Sequence, residues 1–178
     1  GGARGISFEI CKKLVQEYAL NLILIGTANP DELNENKEYR QMSENELMHA
    51  MKIKMPTEKP VAVKKSVQYI LKLVEIEKNI EVLRSFGTTV VYERTDVRDR
   101  DAVFQVFRKH SRINGVIHAA GIDESNPIEQ KTLESFNRVF DTKVLGMQNI
   151  LSLIDEECRY VIAFSSIAGV VGNASQID

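Results

Sequence analysis

The sequence predicts an open α/β fold built on a doubly wound parallel sheet, and three observations carry that expectation. Short apolar, β-branched runs alternate with amphipathic stretches, the order that lays helices on both faces of a parallel sheet. A glycine turn, Gly1-Gly2-Ala3-Arg4-Gly5, opens the first amphipathic stretch. The last apolar run, Tyr160 to Phe164, ends in the pair Ser165-Ser166. In open α/β sheets the carboxyl ends of the strands are where ligands bind.

Taken in order, Ile6, Ile10, Leu14 and Tyr18, with Cys11 and Val15, form an apolar stripe, so Gly5 to Ala19 reads as a helix starting on the glycine turn. Leu22 to Ile25 reads as a short, fully buried strand. The polar stretch from Thr27 to Pro60 is longer than the usual βα connection and holds three of the four prolines, so about residues 27–60 read as an insertion. Within it Ser43-Glu44-Asn45-Glu46 has the spacing of a capping box, which predicts a short helix through Met51. Val63, Val67, Ile70, Leu71, Val74, Ile80 and Leu83 mark a long amphipathic helix from Ala62 to Phe86, closed by Gly87. Thr88 to Tyr92 is the next strand. Asp99 can cap a helix running through Val103, Val106 and Phe107, and Gly115 to Ala119 is a further strand. Phe136, Val139, Phe140, Val144 and Leu151 predict one apolar face on a helix from Leu133 to Ile154, and Tyr160 to Phe164 forms a buried last strand. The chain starts on a glycine turn with no strand before it and stops soon after the serine pair. The sheet is therefore expected to be incomplete at both ends, and the chain to be part of a larger domain.

Composition narrows the function. A chain of 178 residues with 43% hydrophobic content can bury one core. A formal charge of -2 and the lack of a basic run interleaved with aromatics argue against a nucleic-acid partner. Cys11 and Cys158 stand outside any metal-ligand spacing and read as small core residues, so no metal is expected. No apolar run reaches the roughly 20 residues of a membrane span, and there is no basic-then-apolar leader; a cytoplasmic location is expected.

Several motifs bear on chemistry. Gly1, Gly2, Ala3, Arg4, Gly5 and Ile6 are either a structural turn or a cradle of bare amides for a dinucleotide pyrophosphate. The strand order and the motifs that follow favour the second, a Rossmann-like site. At Gly26-Thr27, where an enzyme using NAD usually places an acid, there is none, so NADP is favoured, with Arg4 the nearest base for a 2'-phosphate. Asp96 either accepts the adenine amine, with Val97 packing the ring, or begins a helix. Ala119, Ala120 and Gly121 leave room for a ribose. His118 has the chemistry of a general base but reads rather as structural. Lys143, amid Phe140 and Val144, is either a snorkelling surface residue or a cation aimed at the site that Ser166 faces, where it would lower the pKa of a proton donor.

Five stretches together resemble the ketoreductase domains of modular polyketide synthases, within the short-chain dehydrogenase/reductase superfamily. They are Gly1 to Ile6, Asp96-Val97, Gly115 to Gly121, Phe140 to Val144, and Phe164 to Gln176. Stand-alone reductases of the superfamily tend to carry asparagine where Lys143 lies. The resemblance implies reduction by NADPH of a β-ketoacyl thioester to the β-hydroxyacyl thioester. The partners it implies are an acyl carrier protein holding the substrate on phosphopantetheine and the neighbouring synthase domains. It makes Ser166 a catalytic hydroxyl and Lys143 the lysine that tunes a catalytic tyrosine. It gives Gly1, Gly2, Ala3, Arg4, Gly5, Ile6, Thr27, Asp96, Val97, Ala119, Ala120, Gly121 and Ser165 to the cofactor. The family tyrosine falls directly after Asp178, outside this sequence.

Some residues depart from the family pattern. Ser7 replaces a glycine of the fingerprint, and Thr27 stands where an arginine is common. Ile122-Asp123-Glu124-Ser125-Asn126 and Val171 match neither stereochemical subtype. A catalytically silent nucleotide-binding or scaffolding domain of the same synthase is the alternative reading. A stand-alone 3-oxoacyl reductase is another, against which Lys143 argues.

Overall fold

A computed structural model describes residues 2–110 and 112–176; Gly1 lies outside the described residues. The chain forms two compact units. Unit 1 holds Gly2, 23–27 and 92–176, and unit 2 holds 3–22 and 28–91.

Unit 2 is mainly helical. Helix α1 (Gly5–Glu17) buries Phe8, Cys11 and Val15. Cys11 and Val15 belong to the expected stripe, whereas its outer members Ile6 and Tyr18 are 74% and 60% exposed and Phe8 is buried in addition. The buried residues, three and four apart, meet helix α3 (Pro60–Arg84). Helix α3 begins on a proline, whose missing amide costs nothing at that position. It buries Val63, Val67, Ile70, Val74, Ile80 and Leu83 as expected, and also Leu73 and Ile76, whereas Leu71 is only half-buried. Past Arg84 the chain turns at Gly87, whose φ of +78° an L-residue rarely adopts.

Between α1 and α3, two 3-10 turns (Pro30–Glu35 and Lys37–Arg40) and helix α2 (Glu44–Lys54) pack on α3. The capping box at the start of α2 is formed in full, with the Glu46 amide donating to Ser43 Oγ and the Ser43 amide to Glu46 Oε2. Arg40 fixes this layer. Its Nε and Nη2 donate to the two Glu77 oxygens at 2.6 and 2.8 Å, and Nη1 donates to the Leu33 carbonyl at 3.0 Å.

The strands form two short pairs. β1 (Leu22–Gly26) pairs with β2 (Val90–Arg94), and β3 (Gly115–His118) with β4 (Tyr160–Ala163). The first pair is parallel, because the Leu22 amide donates to Thr89 O and the Thr95 amide to Gly26 O. The second is parallel in the register Gly115–Tyr160 to His118–Ala163. The second strand thus starts two residues later than its β-branched run suggested.

Unit 1 completes the alternation with α4 (Arg100–Lys109), capped by Asp99 Oδ1 on the Ala102 amide, and α5 (Leu133–Leu151), capped by Thr132 on the Ser135 amide. The four-residue helix α6 (Ala168–Val171) follows β4. Two expectations fail here. Only Leu24 is buried in β1, and β4 is largely exposed because, among the described residues, it pairs only with β3. Helix α5 buries Val139, Thr142, Gly146, Asn149 and Ile150, whereas Phe140, Val144 and Leu151 lie on its exposed side.

Candidate functional site

The carboxyl end of the β3–β4 pair gathers several of the expected residues. The last register pair, His118 with Ala163, is closed by the Phe164 amide donating to His118 O at 2.9 Å, and beyond it both strands leave the sheet. Ala119, Ala120 and Gly121 therefore leave the sheet beside Ser165 and Ser166. Both serines are exposed. Ser166 opens the turn into α6: its Oγ accepts from the Ala168 amide at 3.1 Å and its carbonyl from the Gly169 amide at 3.0 Å. That contact uses a lone pair of the hydroxyl and leaves its proton to donate.

Helix α5 is docked on this edge. The His118 ring, 6% exposed, places Nε2 at 3.0 Å from the carbonyl oxygen of Lys143. A carbonyl only accepts, so Nε2 carries the proton. Burial also pushes the imidazole below its usual pKa, which keeps it neutral. One turn on, Gly146 allows a close approach: a Cβ there would stand 2.7 Å from Val97 Cγ2 and 3.3 Å from His118 Cε1. A further turn along, the buried Asn149 donates through Nδ2 to the carbonyls of Val97 and Arg98 at 2.9 and 3.1 Å. The Lys143 side chain is exposed. Its charge is felt by Asp123, whose carboxyl is held low first by hydrogen bonds from Ser125 and then by Lys143 and Lys131.

The carboxyl end of the β1–β2 pair carries Thr27, Asp96 and Val97. Thr27 is exposed, one residue past the Gly26 carbonyl that meets the Thr95 amide. Asp96 does not cap α4, since Asp99 does. Its carboxylate takes Nη2 of Arg98 at 2.6 Å and the Arg98 amide at 3.0 Å, and this pairing holds it below the usual carboxylate range. Val97 is buried against α5.

The glycine turn leads into α1. Gly2 and Gly5 hold φ of +96° and +56°, and a Cβ on Gly5 would meet nothing within 4 Å. Arg4 precedes the first helical residue without a side-chain cap, and no acid lies in the first turn. Uncapped amides, the positive end of a helix dipole and open space above a glycine suit a dinucleotide pyrophosphate. Ala3 is buried, with its carbonyl taken by Asn79 Nδ2 at 2.9 Å, and Ile6 is exposed. Arg4 is not held in reserve: its Nε meets Glu75 Oε2 at 2.6 Å.

Sequence reasoning missed the loop after β3. Glu124 accepts from Ser135 Oγ and Arg138 Nη2, while the Asn126 amide donates to Ser175 O and Gln176 Nε2 to Ser125 Oγ. The loop is thereby tied to both α5 and the segment after α6. Asn149 and His118, polar residues inside apolar runs, were the available signals for the docking of α5. Among the described residues no group of three or more His, Cys, Asp or Glu could hold a metal ion. Among the same residues no helix is long and apolar enough to cross a membrane.

Comparison with known proteins agrees with this architecture. The family model of the KR domain matches residues 72–178. One relative, from a polyunsaturated fatty acid synthase of a Thraustochytrium species, is 27% identical over 194 residues, covering 100% of this chain and 7% of that protein. Polyketide synthase PksM of Bacillus subtilis is 28% identical over 183 residues, covering 100% of this chain and 3% of the relative. The crystal structure of a ketoreductase domain from the bacillaene assembly line superposes with a TM-score of 0.70 at 25% identity, covering 99% of this chain and 34% of the other. The chain thus spans a small fraction of these large synthases and about a third of the solved domain. With the family model matched over more than half its length and the α/β frame in place, the chain belongs to the KR-domain family of polyketide synthases, within the short-chain dehydrogenase/reductase fold.

Proposed function

We propose that the chain is part of an NADPH-dependent ketoreductase domain that reduces a β-ketoacyl thioester carried on the phosphopantetheine of an acyl carrier protein. Residues 1–178 would then be one section of that domain, with 27–60 an insertion into it. The observation that carries this reading is the β3–β4 edge, where the register delivers Ser166 beside Ala119–Gly121 and His118 holds the α5 backbone at Lys143.

In this reading the Ser166 hydroxyl donates to the ketone oxygen as that oxygen gains negative charge, a contact that strengthens toward the transition state. Lys143 supplies a positive charge that favours the ionised form of a tyrosine proton donor contributed by the rest of the domain. Gly1 to Ile6 serve the pyrophosphate, Asp96 and Val97 the adenine, Ala119 to Gly121 and Ser165 the remainder of the dinucleotide, and Arg4 with Thr27 the 2'-phosphate. NADPH, when bound, supplies the hydride. The carrier protein and the neighbouring synthase domains are the partners.

The test is NADPH fluorescence loss with a β-ketoacyl thioester mimic on the intact domain. Turnover is expected. Ser166→Ala should lower kcat about a hundred- to a thousand-fold, the effect of removing one preorganised donor. Lys143→Ala should cut turnover far more than NADPH affinity. NADPH binding without any turnover in the wild type would overturn the reading in favour of a silent scaffolding domain.

A further inference from the structure

We propose that His118 is a positioning residue for Lys143, setting the height and rotation of α5 at the lysine through a hydrogen bond to its backbone carbonyl. The inference rests on the ketoreductase reading, because Lys143 has its role only there. Three contacts in one unit support it.

The first is the bond itself, Nε2 to Lys143 O at 3.0 Å. A helix carbonyl has two lone pairs and spends one on the amide four residues on. The second is free to accept from a side chain, and here a buried ring provides the donor. The second contact is steric. Gly146 is the one residue type that lets α5 come within reach of the His118 ring, since a Cβ would stand 3.3 Å from Cε1 and 2.7 Å from Val97 Cγ2. The third is Asn149, which anchors the same face of α5 to the Val97 and Arg98 carbonyls.

Helix α5 is thus pinned before and after its point of closest approach. The pin at Lys143 comes from the strand end that neighbours Ser165 and Ser166. Asn149 anchors the carboxyl half of the helix, and Glu124 ties its amino half through Ser135 and Arg138. Between these anchors His118 fixes the backbone at the lysine itself, where placement matters for the proton donor. A misplacement of about 1 Å in such a group costs up to about a hundred-fold in rate. His118 does not touch substrate or cofactor in this account; it acts through Lys143.

The experiment uses the intact domain and compares His118→Phe, which keeps the ring volume and loses the donor, with His118→Gln, whose amide nitrogen can take the place of Nε2. His118→Phe is expected to lower kcat roughly 10- to 100-fold with KM and NADPH affinity within about two-fold of wild type, and His118→Gln to recover most of the loss. The proton itself is read separately by 15N–1H NMR, where the wild type should show a slowly exchanging histidine Nε2–H. Wild-type kcat in His118→Phe, an equal loss in both variants, or no protected Nε2–H would overturn the proposal while leaving the ketoreductase reading intact. A wild type that binds NADPH and reduces nothing would overturn that reading, and the role of His118 with it.

Discussion

Arg4 carries two obligations. It precedes the first turn of α1, where the proposed function sets it against a 2'-phosphate, and its Nε is paired with Glu75 Oε2 at 2.6 Å, both side chains being a little under half exposed. An exposed pair of this kind is weak and salt-screened, so it does not bar Arg4 from a phosphate. The carboxylate nonetheless brings negative charge close to where the phosphate would lie. Glu75→Gln should therefore tighten NADPH binding about two- to five-fold and raise the preference over NADH, as measured by fluorescence titration at low salt. An unchanged preference would remove Arg4 from the 2'-phosphate. The sequence made Arg4 visible as the nearest base but gave no sign of Glu75, because the partner sits on a helix far along the chain and ion pairs leave no periodic signature.

At the scale of elements, the caps and stops were legible, and so were the buried faces of α3 and α4, whereas that of α5 was largely not. Ser43 with Glu46, Asp99 and Gly87 mark their helix ends as expected, since capping is local chemistry between near neighbours. Of the buried face of α5 only Val139 was seen, because most of the rest is small or polar. Its contact with β3 and the loop after β2 is made by Gly146, which allows close approach, and by Asn149, which bonds backbone carbonyls, while Thr142 Oγ1 donates to Arg138 O of the same helix. Hydrophobic periodicity instead picked Phe136 and Phe140, which stack on each other at 5.6 Å with Phe140 exposed. Gly146→Ala tests the close-packed face. The new Cβ meets Val97 Cγ2 at 2.7 Å, too near to tolerate, and Val97 is a buried residue whose backbone carbonyl is already bound by Asn149. Urea unfolding should show a loss of about 1–3 kcal/mol, the usual range for overpacking, and kcat should fall along with it as α5 is pushed off His118. Stability and rate both unchanged would mean that α5 is not held where this contact puts it.

For the whole molecule, the class of fold was legible from the alternation together with the glycine turn and the serine pair, while the burial of its strands was not, since burial depends on what each strand pairs with rather than on its own apolarity. The pH response follows from groups dispersed over unit 1. Burial pushes the His118 imidazole below its usual value, so below about pH 6.5 the unfolded chain takes up a proton that the native state resists. The unfolded state then binds more protons, and stability rises with pH across that window. The contribution of His118 is full above about pH 6.5 and is lost as pH falls toward its folded value. Glu93 is held low by Lys109 and then His110, and Asp96 by Arg98. For both carboxylates the sign is the same: stability is present above their unfolded values, near about pH 4, and lost as pH falls through the folded ones. Urea midpoints of the intact domain should therefore decline in two stages on acidification, the first beginning near about pH 6.5 and the second near about pH 4. In His118→Phe the first stage should disappear and the second persist, because phenylalanine has no proton to gain in either state. If the variant and the wild type declined in parallel through the first stage, the ring at 118 would not be the buried neutral donor that holds Lys143.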